Sequence, residues 1–233
     1  IEGATDIRVR VLETVPNINA VMSNPPARVT GKVTSKADSL PIAGINVTLF
    51  KKEPYELGGY IFVKQPNGAT TAADGSFVID DVQGGTHIVH FADNGGVFVN
   101  EYYENTWNQY DATLLYISPG TTKSVNMGMT LAGHIAGKVT DSATGAAVEN
   151  IGIHAYYRQD ELWVVEDFGL IASTRRDGTY EKRGLKPGEY RVKFFELTKE
   201  GQERIYKDEY YNEVHEWEQA SAVPVLAGKV SKN

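Results

Sequence analysis

The stretch Leu131-Ala132-Gly133-His134-Ile135-Ala136-Gly137-Lys138-Val139-Thr140-Asp141 is where a sequence motif occurs for the second time. Its earlier counterpart is Arg28-Val29-Thr30-Gly31-Lys32-Val33-Thr34, so the two Gly-Lys-Val triplets lie 106 residues apart. Each copy alternates apolar and polar residues, which is typical of a strand with one buried face. A repeat of this length indicates two copies of one structural unit.

Four further landmarks recur in the same order in both halves of the chain. They are residues 42–47 and 148–153, 73–77 and 176–180, 84–91 and 187–194, and 101–104 and 209–212. One of them, residues 73–77 and 176–180, contains an Asp-Gly turn in each copy, and we expect these turns to supply the positive φ angles of tight hairpins. Residues 213–220 are the best candidate for a short helical turn.

The landmarks delimit short strands at spacings of about 8–12 residues, which is typical of a β-sandwich. We therefore predict an all-β chain of two tandem antiparallel sandwiches, residues 28–131 and 132–233. Residues 1–27 are either the tail strands of a preceding repeat or the N-terminal strands of the first unit. The second unit ends before its counterpart of residues 126–131, so a strand pair within residues 4–22 could complete it between neighbouring molecules.

Composition excludes several classes of protein. The net charge of −7 comes with no basic stripe, so we expect no nucleic-acid partner. No run is long and apolar enough to span a bilayer, and we expect no membrane insertion. The absence of cysteine excludes disulfides and thiol chemistry. The chain begins at Ile1, and we expect it to be a piece of a longer protein with neighbouring domains as partners.

The recurring motifs resemble those of the carboxypeptidase regulatory-like family, a transthyretin-like (prealbumin) sandwich that is also akin to Cna-B-type surface repeats. The stretches that carry the resemblance are Thr30-Gly31-Lys32-Val33-Thr34, Asp74-Gly75-Ser76-Phe77 and Leu185-Lys186-Pro187-Gly188-Glu189-Tyr190-Arg191-Val192. The resemblance implies non-catalytic modules of a bacterial or archaeal secreted or cell-surface protein. Fold alone does not determine function, however.

No nucleophile elbow, phosphate-binding loop or zinc-protease motif is present, and we expect no enzyme activity, cofactor or metal. His87 and His90 lie three apart on a strand and point to opposite faces, so we expect ordinary surface histidines. Asp74 and Asp177 sit in Asp-Gly turns, and turn chemistry explains them, although calcium is an alternative. Glu101 and Glu209 recur singly, without a second acid for catalysis.

Cna-B-type relatives can form a lysine–asparagine isopeptide bond, which needs a buried lysine. Lys32 and Lys138 lie in the opening strands, but alternation places them on the solvated face, opposite Val33 and Val139. We therefore hypothesise that no such crosslink exists.

Aromatic side chains are the strongest candidates for a ligand-binding surface. The second strand pair differs most between the copies, and it carries Tyr60 and Phe62 in one and Trp163 in the other. Loops on a rigid sandwich commonly carry specificity. With Trp107 and Trp217, these residues could form a platform for stacking sugars, as in starch-binding modules of similar fold. Alternatively, they belong to an edge hairpin that covers the core.

Tyrosines cluster around the Glu-Tyr-Tyr motif in each copy, at Tyr102, Tyr103, Tyr210 and Tyr211. We favour packing for them, with hydroxyl bonds to the backbone as in a tyrosine corner. For the whole chain we predict a structural spacer and protein-interaction or adhesion stalk of a secreted or cell-surface protein. The alternative is a carbohydrate-binding accessory of a secreted hydrolase, with a polysaccharide ligand.

Overall fold

A computed structural model of the protein describes residues 7–8, 10–11, 14–16, 18, 24–165, 171–198 and 203–232. The strand pair predicted within residues 4–22 lies mostly outside these residues, and so does the hypothesis of strand exchange that depends on it.

The described residues form eighteen short strands and one turn of 3-10 helix, Trp217–Gln219, which falls within the predicted helical turn. None of the described helical segments is long and apolar enough to cross a membrane. The strands of the first half are β1 (Ala27–Ser35), β2 (Asn46–Pro54), β3 (Tyr60–Thr70), β4 (Ser76–Val82), β5 (Gly85–Ala92), β6 (Glu101–Tyr102), β7 (Leu115–Ile117), β8 (Thr122–Ser124) and β9 (Met127–Met129). Those of the second half are β10 (Gly133–Lys138), β11 (Ile151–Gln159), β12 (Leu162–Val165), β13 (Ala172–Ser173), β14 (Thr179–Leu185), β15 (Gly188–Glu196), β16 (Glu209–Tyr210), β17 (Val223–Val225) and β18 (Val230–Lys232).

Strand pairing builds two sheets in each half, with nearly the same order in both. The smaller sheets have the orders β4-β1-β8, with β9 also beside β1, and β14-β10-β18. The larger sheets have the orders β3-β2-β5-β6 and β12-β11-β15-β16, and β7 and β17 occupy corresponding places beside β5 and β15. The predicted fold class, an all-β chain of two tandem β-sandwiches, is confirmed.

Most strand pairs are antiparallel, but the last strands of each half run parallel to the first. β8 and β9 pair with β1 in this way, and β18 pairs with β10. The sequence pattern does not reveal strand direction, because side chains alternate with the same period in parallel and antiparallel strands.

Each sandwich buries its own core between its two sheets. In the first, Val29 and Phe77 of the smaller sheet meet Leu49 and Phe91 of the larger one. The rings of Phe77 and Phe91 meet edge to face with 6.0 Å between their centroids. Complete burial of such a side chain contributes about 1.5–3 kcal/mol. The second core consists of Ile135, Ile153, Ala155, Tyr180, Leu185, Tyr190, Val192, Val223 and Val225.

Strand β3 runs through Pro66-Asn67-Gly68, residue types that are typical of turns, and ends at Thr70. The pairing with β2 skips between Thr48 and Phe50, which marks a bulge at this place. Because β3 is an edge strand, a proline there removes no hydrogen bond from the ladder.

The two Asp-Gly turns differ from the tight hairpins that the sequence predicts. They connect β3 to β4 and β13 to β14, which lie in different sheets, and only Gly75 and Gly178 have a positive φ, +77° in each. Asp74 accepts hydrogen bonds from the Ser76 amide and hydroxyl at 3.0 and 2.6 Å. The bond from the Ser76 hydroxyl is the main cause of the lowered pKa of Asp74. The hydrogen bonds of the turn therefore account for this carboxylate.

Candidate functional site

Aromatic side chains lie on the outer face of the larger sheet in both halves. Alternation produces this arrangement, because the residues between core positions of a strand point away from the core. In the first half Phe62 pairs with Lys52 across β3 and β2, and in the second half Trp163 pairs with Arg158 across β12 and β11. Phe62 and Trp163 therefore occupy corresponding positions.

The first aromatic cluster consists of Tyr60, Phe62 and Tyr110. The ring centroids of Tyr60 and Phe62 are 5.4 Å apart, and those of Phe62 and Tyr110 are 6.1 Å apart. The Lys52 ammonium lies over the Tyr60 ring, 3.8 Å from its centroid. Since Tyr60 and Tyr110 are exposed, the cluster is an accessible apolar surface with a cation at its edge.

The second aromatic cluster consists of Tyr156, Trp163, Tyr210 and Trp217. Trp217 is at its centre, with ring centroids 4.9 Å from Tyr156, 5.5 Å from Tyr210 and 6.1 Å from Trp163. The two indoles are almost perpendicular, at 89°. An open groove of about 400 Å³ lies here, lined by Tyr156, Glu161, Leu162, Trp163 and Trp217.

Arg191 places a positive charge against the two indoles that line this groove. Its guanidinium carbon lies 4.8 Å from the ring centroid of Trp163 and 4.9 Å from that of Trp217, within the range of a cation–π contact. Its Nε atom is buried and has no hydrogen-bond partner. This residue is not among the site residues predicted from the sequence. A comparison of the two copies could have identified it, because the residue that corresponds to Arg191 in the first half is the apolar Ile88.

Trp107 belongs to neither aromatic cluster. It lies where the two halves meet, with the Lys186 ammonium 4.7 Å from its ring centroid. The same ammonium is 3.8 Å from the ring centroid of Tyr157. The five predicted ligand-binding residues are thus divided among three places: Tyr60 with Phe62, Trp163 with Trp217, and Trp107 at the junction.

The tyrosines of the Glu-Tyr-Tyr motifs divide between core and surface. Tyr103 and Tyr211 pack against the two cores, and their amides donate to Val89 and Val192 at 2.8 and 2.9 Å. A hydroxyl bond to the backbone is made by another tyrosine, Tyr190, which donates to the Lys186 carbonyl at 2.9 Å.

His87 and His90 point to opposite faces of β5, but neither is an ordinary surface histidine. His87 is fully buried, and its Nδ1 lies 3.2 Å from the Gly85 carbonyl oxygen. His90 packs against Tyr102, with 4.7 Å between ring centroids, and burial lowers its pKa to about 4. The strand pattern predicts direction but cannot show that the loop after β6 covers the outer face. The surface assignment was therefore wrong.

A buried acid in the first half was also missed. Glu101 is inaccessible to solvent, and burial raises its pKa despite hydrogen bonds from Thr130. The Thr130 hydroxyl donates to Glu101 at 2.8 Å and accepts a bond from the Lys36 ammonium at 2.9 Å. Its counterpart Glu209 is exposed. In the described part of the chain no cluster of three or more histidine, aspartate or glutamate side chains is arranged to hold a metal ion.

No protein-family model matches the chain. No curated protein matches it either. Among solved structures, the chain is similar to the Bacillus anthracis TIE protein, at 15% identity and a TM-score of 0.34, over 90% of this chain and 33% of that protein. It is also similar to GBS52, the minor pilin of the Gram-positive pathogen Streptococcus agalactiae, at 14% identity and a TM-score of 0.38, over 89% and 93% of the two chains. A third match is the shaft pilin SpaA of Lactobacillus rhamnosus GG, at 8% identity and a TM-score of 0.33, over 90% and 98%.

The chain thus spans about a third of the Bacillus anthracis protein and nearly the whole of the two pilins. At these TM-scores the likeness is one of general architecture.

Proposed function

We propose that the chain is a non-catalytic spacer of a secreted or cell-surface protein, in which tandem sandwiches stack end to end as a semi-rigid adhesion stalk. The unit boundaries are those set by the repeat, residues 28–131 and 132–233. The observation that carries the proposal is that the link between the units is bonded to both of them.

Ala132 is the central residue of this link. It is almost fully buried, at 1% exposure, and its amide donates to the Val97 carbonyl of the first unit at 2.9 Å. Its own carbonyl accepts from the Gly228 amide of the second unit at 2.8 Å. A linker that is bonded on both sides has few free torsions, so it restricts the angle between the units.

The same pattern of backbone hydrogen bonds occurs at the start of the first unit. Gly120 donates to the Pro25 carbonyl at 3.1 Å, as Gly228 does to Ala132. The Arg28 amide donates to Thr121, as the His134 amide does to Lys229, both at 2.9 Å. Because the preceding segment is held in the same way, each unit can be added to the one before it with the same geometry, as in other linear arrays.

Small-angle scattering of the protein tests the stalk. We expect an elongated particle with a narrow distribution of distances between the units. A Cβ atom at Gly96 would lie 2.8 Å from the Cβ of Arg183, so Gly96→Val should force the units apart and broaden that distribution. Gly58→Val is the matched control, since Gly58 also has a positive φ but no neighbour within 4 Å. A compact particle, or identical curves for both variants, would contradict the proposal.

A second candidate function is supported by the second aromatic cluster, which has an open groove beside two indoles. Such flat apolar surfaces suit the faces of sugar rings, and ligand sites combine them with a few polar groups. We propose saccharide binding at this groove. Titration with cellotetraose and maltotetraose should quench tryptophan fluorescence in the protein, but not in a Trp163→Ala, Trp217→Ala double variant.

A further inference from the structure

The proposed function gives no role to the positive charge of Arg191. We propose that the groove of the second aromatic cluster takes an acidic saccharide, a uronate oligomer whose carboxylate binds the Arg191 guanidinium. This inference rests on the proposal that the groove binds saccharides, and it names the class of sugar.

A sandwich of this kind does not need an arginine at the position of Arg191. Its counterpart in the first unit is Ile88, at the corresponding position of β5, and Ile88 is fully buried. An apolar side chain therefore fills this place under the aromatic layer in one unit. Arg191 is half-buried and its Nε atom is fully buried, and desolvating part of a charged group has an energetic cost that a structural role alone does not explain.

Two acids in or beside β15, Glu189 and Asp208, have other partners. Glu189 accepts a hydrogen bond from Arg158 at 2.8 Å. Asp208 forms ion pairs with Lys193 at 2.8 Å and with Arg204 at 3.0 Å. The cation–π contacts of the Arg191 guanidinium are with the indoles of Trp163 and Trp217.

The way the indoles hold the guanidinium determines which ligand chemistry it can recognise. Cation–π contacts fix the group in place without using its N–H donors, and one donor, Nε, is buried without an acceptor. A carboxylate matches two parallel N–H groups of a guanidinium, so it is the complementary ligand. A cationic ligand is disfavoured, because Arg191 already occupies the aromatic site.

The lining of the groove favours acidic sugars over carboxylate ligands that have no sugar ring. The groove is lined mostly by rings, Tyr156, Trp163 and Trp217, which suit the apolar face of a pyranose. Glu161 also lines the groove and offers an acceptor for hydroxyl groups, although its charge repels a second carboxylate. A uronate combines the ring, the hydroxyls and the carboxylate in one unit.

The test is a fluorescence titration of the whole protein carrying Trp107→Phe, which removes the signal from the junction. Tetragalacturonate, an alginate tetramer and a glucuronate-containing tetramer are compared with neutral cellotetraose and maltotetraose. We expect at least one uronate to bind more tightly than the neutral sugars, with an affinity that falls as salt is raised. Arg191→Ile, which copies the first unit, should weaken uronate binding by about tenfold to a hundredfold, a larger factor than for neutral sugars.

Two further variants sharpen the result. Glu161→Gln should tighten uronate binding, because it removes a like charge from the groove. Arg191→Lys keeps the charge without the fork of donors, and it should weaken uronate binding even if Arg191→Ile does not fold. Circular dichroism and thermal unfolding establish which variants are folded.

The other possible outcomes of the titration each contradict one of the proposals. Equal binding of neutral and acidic tetramers, insensitive to Arg191→Ile, would overturn the acidic-sugar inference and leave saccharide binding in place. Equal binding of tetraglutamate and uronates would overturn the assignment to sugars. Binding of none of the probes would overturn both the inference and the saccharide proposal, whereas the stalk is tested separately by scattering.

Discussion

Gly75 and Gly178 hold the same position in the two units. At both positions a side chain is disfavoured by the positive φ angle and by the lack of room for a Cβ atom. Each has a φ of +77°, and a Cβ atom there would lie 2.4 Å from a carbonyl oxygen of the opening strand, that of Val33 or Val139. The opposing atom is backbone, so it cannot move aside cheaply. At the residue scale, the recurring Asp-Gly pairs therefore mark points where the turn before β4 or β14 packs against the opening strand of its unit.

We predict that Gly75→Ala destabilises the first unit by about 2–4 kcal/mol, as the sum of left-handed strain and overpacking. Gly44→Ala is the matched control, because Gly44 has a φ of +81° but no atom within 4 Å of the added methyl group. It should cost only about 1–2 kcal/mol. Urea unfolding measures both, and equal losses would show that the close approach to Val33 is unimportant.

His90 makes the stability of the first unit depend on pH. Burial lowers its pKa from 6.5 to about 4 in the folded state, so between these values the unfolded chain binds more protons. The contribution of His90 is fully present above pH 6.5 and is lost as the pH falls toward 4, by at most about 3 kcal/mol. Glu101 acts in the opposite sense, since its raised pKa makes stability fall as the pH rises.

We predict that His90→Phe flattens the fall in unfolding free energy between pH 6.5 and pH 4, measured by urea titration at several pH values. Phe50→Leu, which changes a neighbouring ring that does not titrate, should lower stability by a similar amount at every pH. If both variants retain the slope of the unaltered protein, another group is responsible.

At the scale of strands, β1 and β9 bring a lysine, a hydroxyl and a buried acid together at one end of the first sandwich. Lys36 follows β1, Thr130 follows β9, and Glu101 begins β6 between them. The arrangement resembles what an isopeptide crosslink needs, but the group bonded to the ammonium is the hydroxyl of Thr130. Lys32 and Lys138, the lysines of the opening strands, are exposed.

We therefore predict that the protein carries no lysine crosslink. Its intact mass should equal the mass of the sequence, and a mass lower by one ammonia would contradict this. As a positive control for the method, Thr130→Asn places an amide beside Lys36 and Glu101. Loss of ammonia in that variant alone would show that the side chain at this one position decides whether the bond forms.

At the scale of the whole molecule, Trp107 and Lys186 connect the two sandwiches. The ammonium lies between a ring of each unit, Trp107 and Tyr157. Contacts of this kind are worth about 0.5–2 kcal/mol, enough to make the stability of one unit depend on the other. The stalk proposal needs such coupling, because independent units would behave as beads on a flexible string.

We predict that Trp107→Ala lowers the unfolding free energy of both units by about 0.5–2 kcal/mol. The control is Tyr110→Ala, in the same loop, since Tyr110 contacts Phe62 of the first unit and should affect that unit alone. Hydrogen exchange resolves the two units by residue. Faster exchange confined to the first unit in Trp107→Ala would show that the junction carries no coupling.

The sequence by itself determined the two sandwiches and the solvated direction of the opening lysines, and it selected Phe62 and Trp163 as candidates for a binding surface. Repeats and alternation are local properties of a chain, and they specify which face of each strand is buried. Only the tertiary structure decided that Trp107 lies at the junction, that Arg191 lies between Trp163 and Trp217, and that His87 and Glu101 are buried. These facts depend on which distant loop comes to lie over which sheet face, and no local periodicity encodes that.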